Sequence, residues 1–408
     1  MKDYQQTFLL DVRFTDDGTL FSVVHPEKGL KIYSTRARSH KLSDDSSQNY
    51  SFKLFHTKSD KLQSMAVIYK NSSLIALRNR LNPHILHFYN ASKEKELSNY
   101  NFSSRLIEMK FAENRLICML HRRLHIYNLS EMKVLRTIII STFGNQHRQV
   151  GNPSPHRQNP NGNGTPSKSP SQLQDATQTT LLGQHQFSNR YGTTAVSPKY
   201  IAYVDHAIGN IQILDIVSCK TLVTIHAHAT RIVAMAFNET GDYIATASEN
   251  GRYIHIFHTE SGKIAHEFYR GSSSAFIYDI VFRYNYVIVS ANSGTIHIFK
   301  FNLTEFESSS TTSEIVHRIK RAVSAERAIA TVKVKDKKIR HHVHITPTTD
   351  AQMIKKLTPY RLFDILVISY IGQFYRFSFD VSKSTPTTKL IEMNTIDQLD
   401  TDYSDTHC

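Results

Sequence analysis

The chain has 408 residues, 21% of them charged and 40% hydrophobic, and carries a net charge of +14 at neutral pH. A single large folded unit can absorb that length, and the charge excess points to an anionic partner such as phospholipid or nucleic acid. The three cysteines, Cys118, Cys219 and Cys408, form no CxxC pair, which argues against a disulfide framework or a zinc site and fits a reducing compartment. No apolar run reaches membrane-spanning length, and Met1 to Thr7 leads into the first strand without an apolar signal region. The expectation is therefore a chain that is soluble when free.

In chain order, short β-branched and aromatic runs alternate with Gly, Asn, Asp and Ser, the pattern of antiparallel strands joined by tight turns. Phe8 to Phe14 and Leu20 to Val24 lead into Gly29-Leu30-Lys31-Ile32-Tyr33. Met65 to Tyr69 and Leu74 to Leu77 lead into Ile85 to Tyr89, and Leu106 to Phe111 and Arg115 to Leu120 into Leu124 to Tyr127. After Lys199 to Val204 the same strand returns as Gly209 to Leu214, then as Gly251 to Phe257, Gly294 to Phe299 and Gly372 to Phe377. Its seven copies are separated, end to end, by 56, 38, 87, 43, 42 and 78 residues. A unit of about 40 to 45 residues with four strands is the signature of a β-propeller. The two long steps then hold insertions, and the whole of 1–408 reads as one all-β, seven-bladed, WD40-like propeller.

The first insertion, 144–190, is rich in Asn, Gln, Pro, Ser, Gly and Thr and too poor in apolar residues to offset the entropy of ordering, so a disordered surface loop is expected. The second, 302–326, carries Ile315, Val316 and Ile319 at helical spacing among Arg318, Lys320 and Arg321, the pattern of a basic amphipathic loop facing a membrane. From Arg318 through Arg340 there are nine Lys or Arg against Glu326 and Asp336. The plainer reading of this charge run is a solvated loop followed by an edge strand kept soluble by its lysines.

Ala227-His228, Ala245-Thr246-Ala247-Ser248, Phe268-Tyr269-Arg270-Gly271 and Gly294 to Phe299, in that order, resemble the PROPPIN or WIPI family of phosphoinositide-binding, seven-bladed WD-repeat propellers. Weaker likeness extends to Arg115 through Leu135 and to Gly372 to Phe377. The resemblance implies peripheral binding of phosphatidylinositol 3-phosphate or the 3,5-bisphosphate. It also implies work in autophagy on phagophore, endosomal or vacuolar membranes, reached from the cytoplasm, with other autophagy proteins recruited through blade edges.

The family's hallmark is two consecutive arginines serving separate lipid pockets, and adjacent strand residues do face opposite ways. Here Tyr269 stands at the first position. His255 matches the other arginine of that first pocket, and Arg252 replaces the usual threonine. A phenol lacks the charged, forked donor that holds a phosphate bidentately. The first pocket, around His228, Thr230, Ser248, Arg252, His255 and Tyr269, is therefore expected to be degenerate, with Arg252 or protonated His255 as partial replacements. The second keeps Arg270, with Ser293, Thr295 and His297 in matching positions.

Without the resemblance, His228, Thr246 and Ser248 read as groups that tie propeller strands together by hydrogen bonds. His341, His342 and His344 read as a surface strand, since alternation provides no third metal ligand. No nucleophile elbow or P-loop is present, so no enzyme activity and no cofactor are expected. The expected protein is a monomeric, non-catalytic phosphoinositide effector that binds no nucleic acid. The alternative is a protein-interaction scaffold that has lost most lipid binding.

Overall fold

A computed structural model describes residues 8–39, 50–140, 193–302, 326–348 and 362–396. Their alternating runs pair into seven sheets, antiparallel throughout except for one short added strand. Each sheet buries apolar side chains on both faces, because a neighbouring blade covers each side. The innermost strands touch in ring order, from Asp11–Phe14 through Gln63–Ile68, Leu106–Ala112, Thr194–Val196, Ile232–Phe237 and Ile277–Arg283 to His341–Pro347, which returns to the first. The protein is a seven-bladed, all-β propeller. Each of the seven sequence copies is the third strand of a blade, from Gly29–Ser39 in blade one to Gln373–Asp380 in blade seven.

Among the described residues no blade mixes strands from the two ends of the chain, so blade one and blade seven meet through side-chain packing and a few hydrogen bonds rather than a shared sheet. Leu9, Val12, Phe21, Val23 and Tyr33 of blade one meet Leu366, Ile368 and Phe374 of blade seven in one buried cluster. Leu9 N–H donates to Tyr370 O at 2.7 Å, and buried Arg376 donates from Nη2 to Thr35 O at 3.1 Å.

Neither long step hides an extra blade among the described residues: each runs from the third strand of one blade to the third strand of the next. The 144–190 stretch lies outside the described residues, between the last strand of blade three, Lys133–Ile139, and the first of blade four. The step from Phe299 to Phe377 has two parts. Residues 303–325 join the third and fourth strands of blade six, and 349–361 join the first two strands of blade seven. Ile315, Val316, Arg318, Ile319, Lys320 and Arg321 lie outside the described residues.

The expected loop boundary at 326 needs correction. Glu326–Arg327 forms a short parallel strand on the outer edge of blade five, against Phe268 and Tyr269. That edge has free backbone groups, and pairing with it satisfies those of the arriving chain. Ala330–Lys333 then supplies the last strand of blade six, with Val332 buried and Thr331 and Lys333 exposed, so this part of the basic run is an edge strand.

The histidine stretch is a second correction. His341–Pro347 is the innermost strand of blade seven rather than a surface strand, because Val343 and Ile345 pack against blade six. His344 stacks on Phe14 and accepts from Arg283 Nη1 at 3.4 Å. Burial, then Arg283, pushes its pKa down to about 3. His341 is lowered to about 4 by burial and His342.

A histidine whose folded pKa is depressed is protonated first in the unfolded chain. The stability it contributes is complete above about pH 6.5 and is lost as pH falls toward the folded value, at up to about 1.4 kcal/mol per pH unit. The melting temperature is therefore expected to fall between pH 6.5 and pH 5. His344→Gln should be less stable at pH 7 and show a shallower fall. A flat wild-type profile over that window would contradict the buried neutral rings.

Candidate functional site

The outer strand of blade five, Ile264–Tyr269, separates two clefts at the propeller rim. Phe268 points toward blade six and shares its cluster with Ile277 and Phe299. Alternation therefore sends Arg270 toward blade six and Tyr269 toward blade four. The backbone continues in register past the strand, with Arg270 N–H donating to Arg252 O at 2.8 Å.

In the cleft between blades five and six, Arg270 is 9% exposed. Its Nε and Nη2 donate to the carbonyls of Gly251 and Ser273, and the guanidinium has more donors than these two. Among the described residues no carboxylate pairs with it. Burial lowers its pKa, with the Tyr269 phenol opposing the shift.

Across the cleft, Thr295 and His297 stand on the face of Thr295–Lys300 opposite Ile296 and Ile298, which pack toward blade seven. His297 is held down to about 4, by burial and then by the Arg270 charge, so the two groups share one electrostatic environment and His297 is neutral near pH 7. Ser293 lies exposed on the preceding turn, its Oγ accepting from Thr295 N–H at 3.3 Å. Arg270 and His297 thus face one another electrostatically between blades five and six, with Thr295 on the same strand face as His297 and Ser293 on the turn before it.

The cleft between blades four and five is differently filled. His228 is buried and meets Thr246 Oγ1 at 3.0 Å through Nε2. Its ring stacks on His255 with centroids 4.2 Å apart and planes 7° from parallel. Burial, then His255, drives the His228 pKa down to about 3. His228 and Thr246 therefore form the strand tie expected of ordinary propellers.

His255 Nδ1 lies 2.8 Å from Ala227 O, which requires an N–H there, and Nε2 lies 3.0 Å from Glu267 Oε2. Both ring nitrogens are engaged, so His255 is committed to protein partners. Ser248 is buried, Thr230 half-buried, and Arg252 exposed on the turn before the third strand.

Two residues of this cleft escaped the sequence reading. Glu267 lies two positions before Tyr269 and so on the same face, a signal that alternation already contained. Arg327 comes from a different stretch of chain. Its guanidinium carbon lies 5.7 Å from the Tyr269 ring centroid, and only the pairing of Glu326–Arg327 with blade five brings it there.

Gly251 holds the turn that links both clefts. Its φ is +56°, and a Cβ there would lie 1.9 Å from Ala275 O. Gly251→Ala is expected to cost about 2 to 4 kcal/mol by combining left-handed strain with a backbone clash, and to displace the carbonyl that holds Arg270. Urea denaturation checks this, and an unchanged midpoint would show that the turn tolerates a side chain.

The class is that of a seven-bladed propeller with two rim clefts set back to back on one strand. The chain belongs to the PROPPIN family, whose model matches residues 189–393, half of its length. It is 27% identical over 216 residues to "Autophagy-related protein 18" of Dictyostelium discoideum, covering 52% of this chain and 46% of that one. To "WD repeat domain phosphoinositide-interacting protein 2" of Xenopus laevis it is 31% identical over 238 residues, covering 56% of this chain and 44% of that one. The chain thus spans about half the length of the curated relatives it matches.

Among solved structures, Kluyveromyces lactis Hsv2 superposes with a TM-score of 0.65 at 15% identity, over 96% of this chain and 99% of that one. The complex of KlAtg21 with the coiled-coil of AgAtg16 gives 0.62 at 17% identity, over 95% and 99%. These two likenesses speak for the fold.

Proposed function

We propose that this chain is a non-catalytic phosphoinositide effector in autophagy. It would hold a phosphate of phosphatidylinositol 3-phosphate or the 3,5-bisphosphate between blades five and six. The observation that carries the reading is Arg270, a guanidinium buried at the cleft with no counter-ion among the described residues. A buried charge without a partner is costly, and a phosphate ester supplies both the missing charge and acceptors for the remaining N–H groups.

His297, neutral near pH 7, can donate or accept one hydrogen bond to the headgroup, and Thr295 and Ser293 offer hydroxyls beside it. The relatives named for phosphoinositide interaction and autophagy support the same reading. In this arrangement the propeller meets the membrane by its rim, on phagophore, endosomal or vacuolar membranes facing the cytoplasm. The 302–326 stretch would add apolar and basic contacts to the lipid surface. Apolar side chains on the outer strand of blade three, Val134, Leu135 and Ile139, are 49%, 44% and 70% exposed and offer an edge for protein recruitment.

Vesicle co-sedimentation at physiological salt, with and without phosphatidylinositol 3-phosphate, tests this reading. The wild type is expected to sediment with the lipid, and Arg270→Ala to lose about tenfold to a hundredfold in affinity. A wild type indifferent to the lipid would overturn the reading. The exposed blade-three edge would then mark the chain as a protein-binding scaffold.

A further inference from the structure

The cleft between blades four and five has Tyr269 where the first arginine would stand, yet besides Arg252 on its turn a further arginine, Arg327, lies against that tyrosine. Strand register aligns Tyr253, Tyr269 and Arg327 in a row across the third, fourth and added strands of blade five. The Tyr253 and Tyr269 rings are 5.3 Å apart, and the Arg327 guanidinium lies against the Tyr269 ring. An exposed arginine on an aromatic face gains about 0.5 to 1 kcal/mol, enough to bias its direction while leaving its N–H groups free for an acceptor.

The neighbouring row is already satisfied. Thr246, His255 and Glu267 align across the sheet, His228 bonds Thr246, and Glu267 pairs with His255. Among the described residues no carboxylate lies within ion-pair distance of Arg327. On the opposite face of the same two-residue strand, Glu326 Oε2 lies 3.5 Å from His266 Nε2.

We propose that Arg327, carried to blade five by the strand that follows the 303–325 segment, is the phosphate-binding cation of the cleft between blades four and five. There it would hold the phosphate ester of a second phosphorylated inositol. This rests on the phosphoinositide reading of the Arg270 cleft and adds a second site to it. Because the two clefts lie back to back on one strand, two headgroups in one membrane would engage them together, and the second binding event becomes intramolecular. The arrangement also ties that site to the linker, since Arg327 reaches Tyr269 only while Glu326–Arg327 stays paired with blade five.

The test uses the full chain with two probes, vesicles containing phosphatidylinositol 3-phosphate and soluble inositol 1,3-bisphosphate, the second followed by titration calorimetry. The wild type is expected to bind two soluble headgroups, Arg327→Ala one, and Arg270→Ala one. On vesicles Arg327→Ala should lose about tenfold in affinity, and Arg327→Lys should fall between it and the wild type. Adding Tyr269→Arg to Arg327→Ala should restore both the second headgroup and the vesicle affinity, which a purely structural role for Arg327 would not allow.

If Arg327→Ala keeps two headgroups while Arg270→Ala loses one, the Arg327 proposal fails and the Arg270 reading stands. If Arg327→Ala weakens binding equally to phosphatidylserine vesicles of matched charge, Arg327 is only a general surface charge, and the proposal again fails. If the wild type binds neither probe, both readings fall. Binding to the soluble probe without recruitment to vesicles would retain the site and assign it to a free inositol phosphate.

Discussion

Adjacent side chains of a β-strand leave on opposite faces, and at Tyr269–Arg270 that rule assigns one residue to each of two clefts. The assignment holds only if the register of blade five is held, because a slip of one residue would exchange the two faces. Phe268 holds it. Fully buried between blades five and six and stacked on Phe299 with centroids 4.8 Å apart, it cannot turn outward without vacating the core. The chemistry of the rim is thus set by an apolar residue that belongs to neither cleft.

The two clefts differ in how far the protein satisfies itself. Between blades four and five, His228 meets Thr246 and His255 faces Glu267, while Arg327 reaches the Tyr269 ring from a later stretch of chain. Between blades five and six, Arg270 is buried on two backbone carbonyls, and its charge lowers the basicity of His297. Burial and the guanidinium charge thus keep the neighbouring imidazole neutral near pH 7, so the positive charge of the pair rests on Arg270.

The ring itself imposes a further condition. With no strand exchanged between the chain ends among the described residues, closure depends on the packing of blade one on blade seven around Phe21, Tyr33 and Phe374. The insertions leave this arrangement undisturbed because they enter between strands, where lengthening a connection costs little entropy. The outer edges carry the variation. The outer edge of blade five accepts an added strand, and the exposed apolar side chains of blade three lie on its outer strand.

How much was legible in the sequence follows from the range of each interaction. The seven third strands, the placement of Tyr269 and Arg270 on opposite faces, and the grouping of Arg270 with Thr295 and His297 depend on local alternation and a repeat near 40 residues, and both are written directly in the chain. The inner position of the histidine strand was not legible, since a polar-looking stretch becomes buried only when neighbouring blades close around it. The hidden commitment of His255 to Glu267 was legible in principle, by counting two residues back from Tyr269. Arg327 was not. By itself the sequence determined a propeller and one arginine-bearing cleft, because periodicity and side-chain alternation are properties of consecutive residues. Only the tertiary structure decided that a second arginine, 58 positions after Tyr269, lies on its ring, because that contact depends on which sheet edge the returning chain selects.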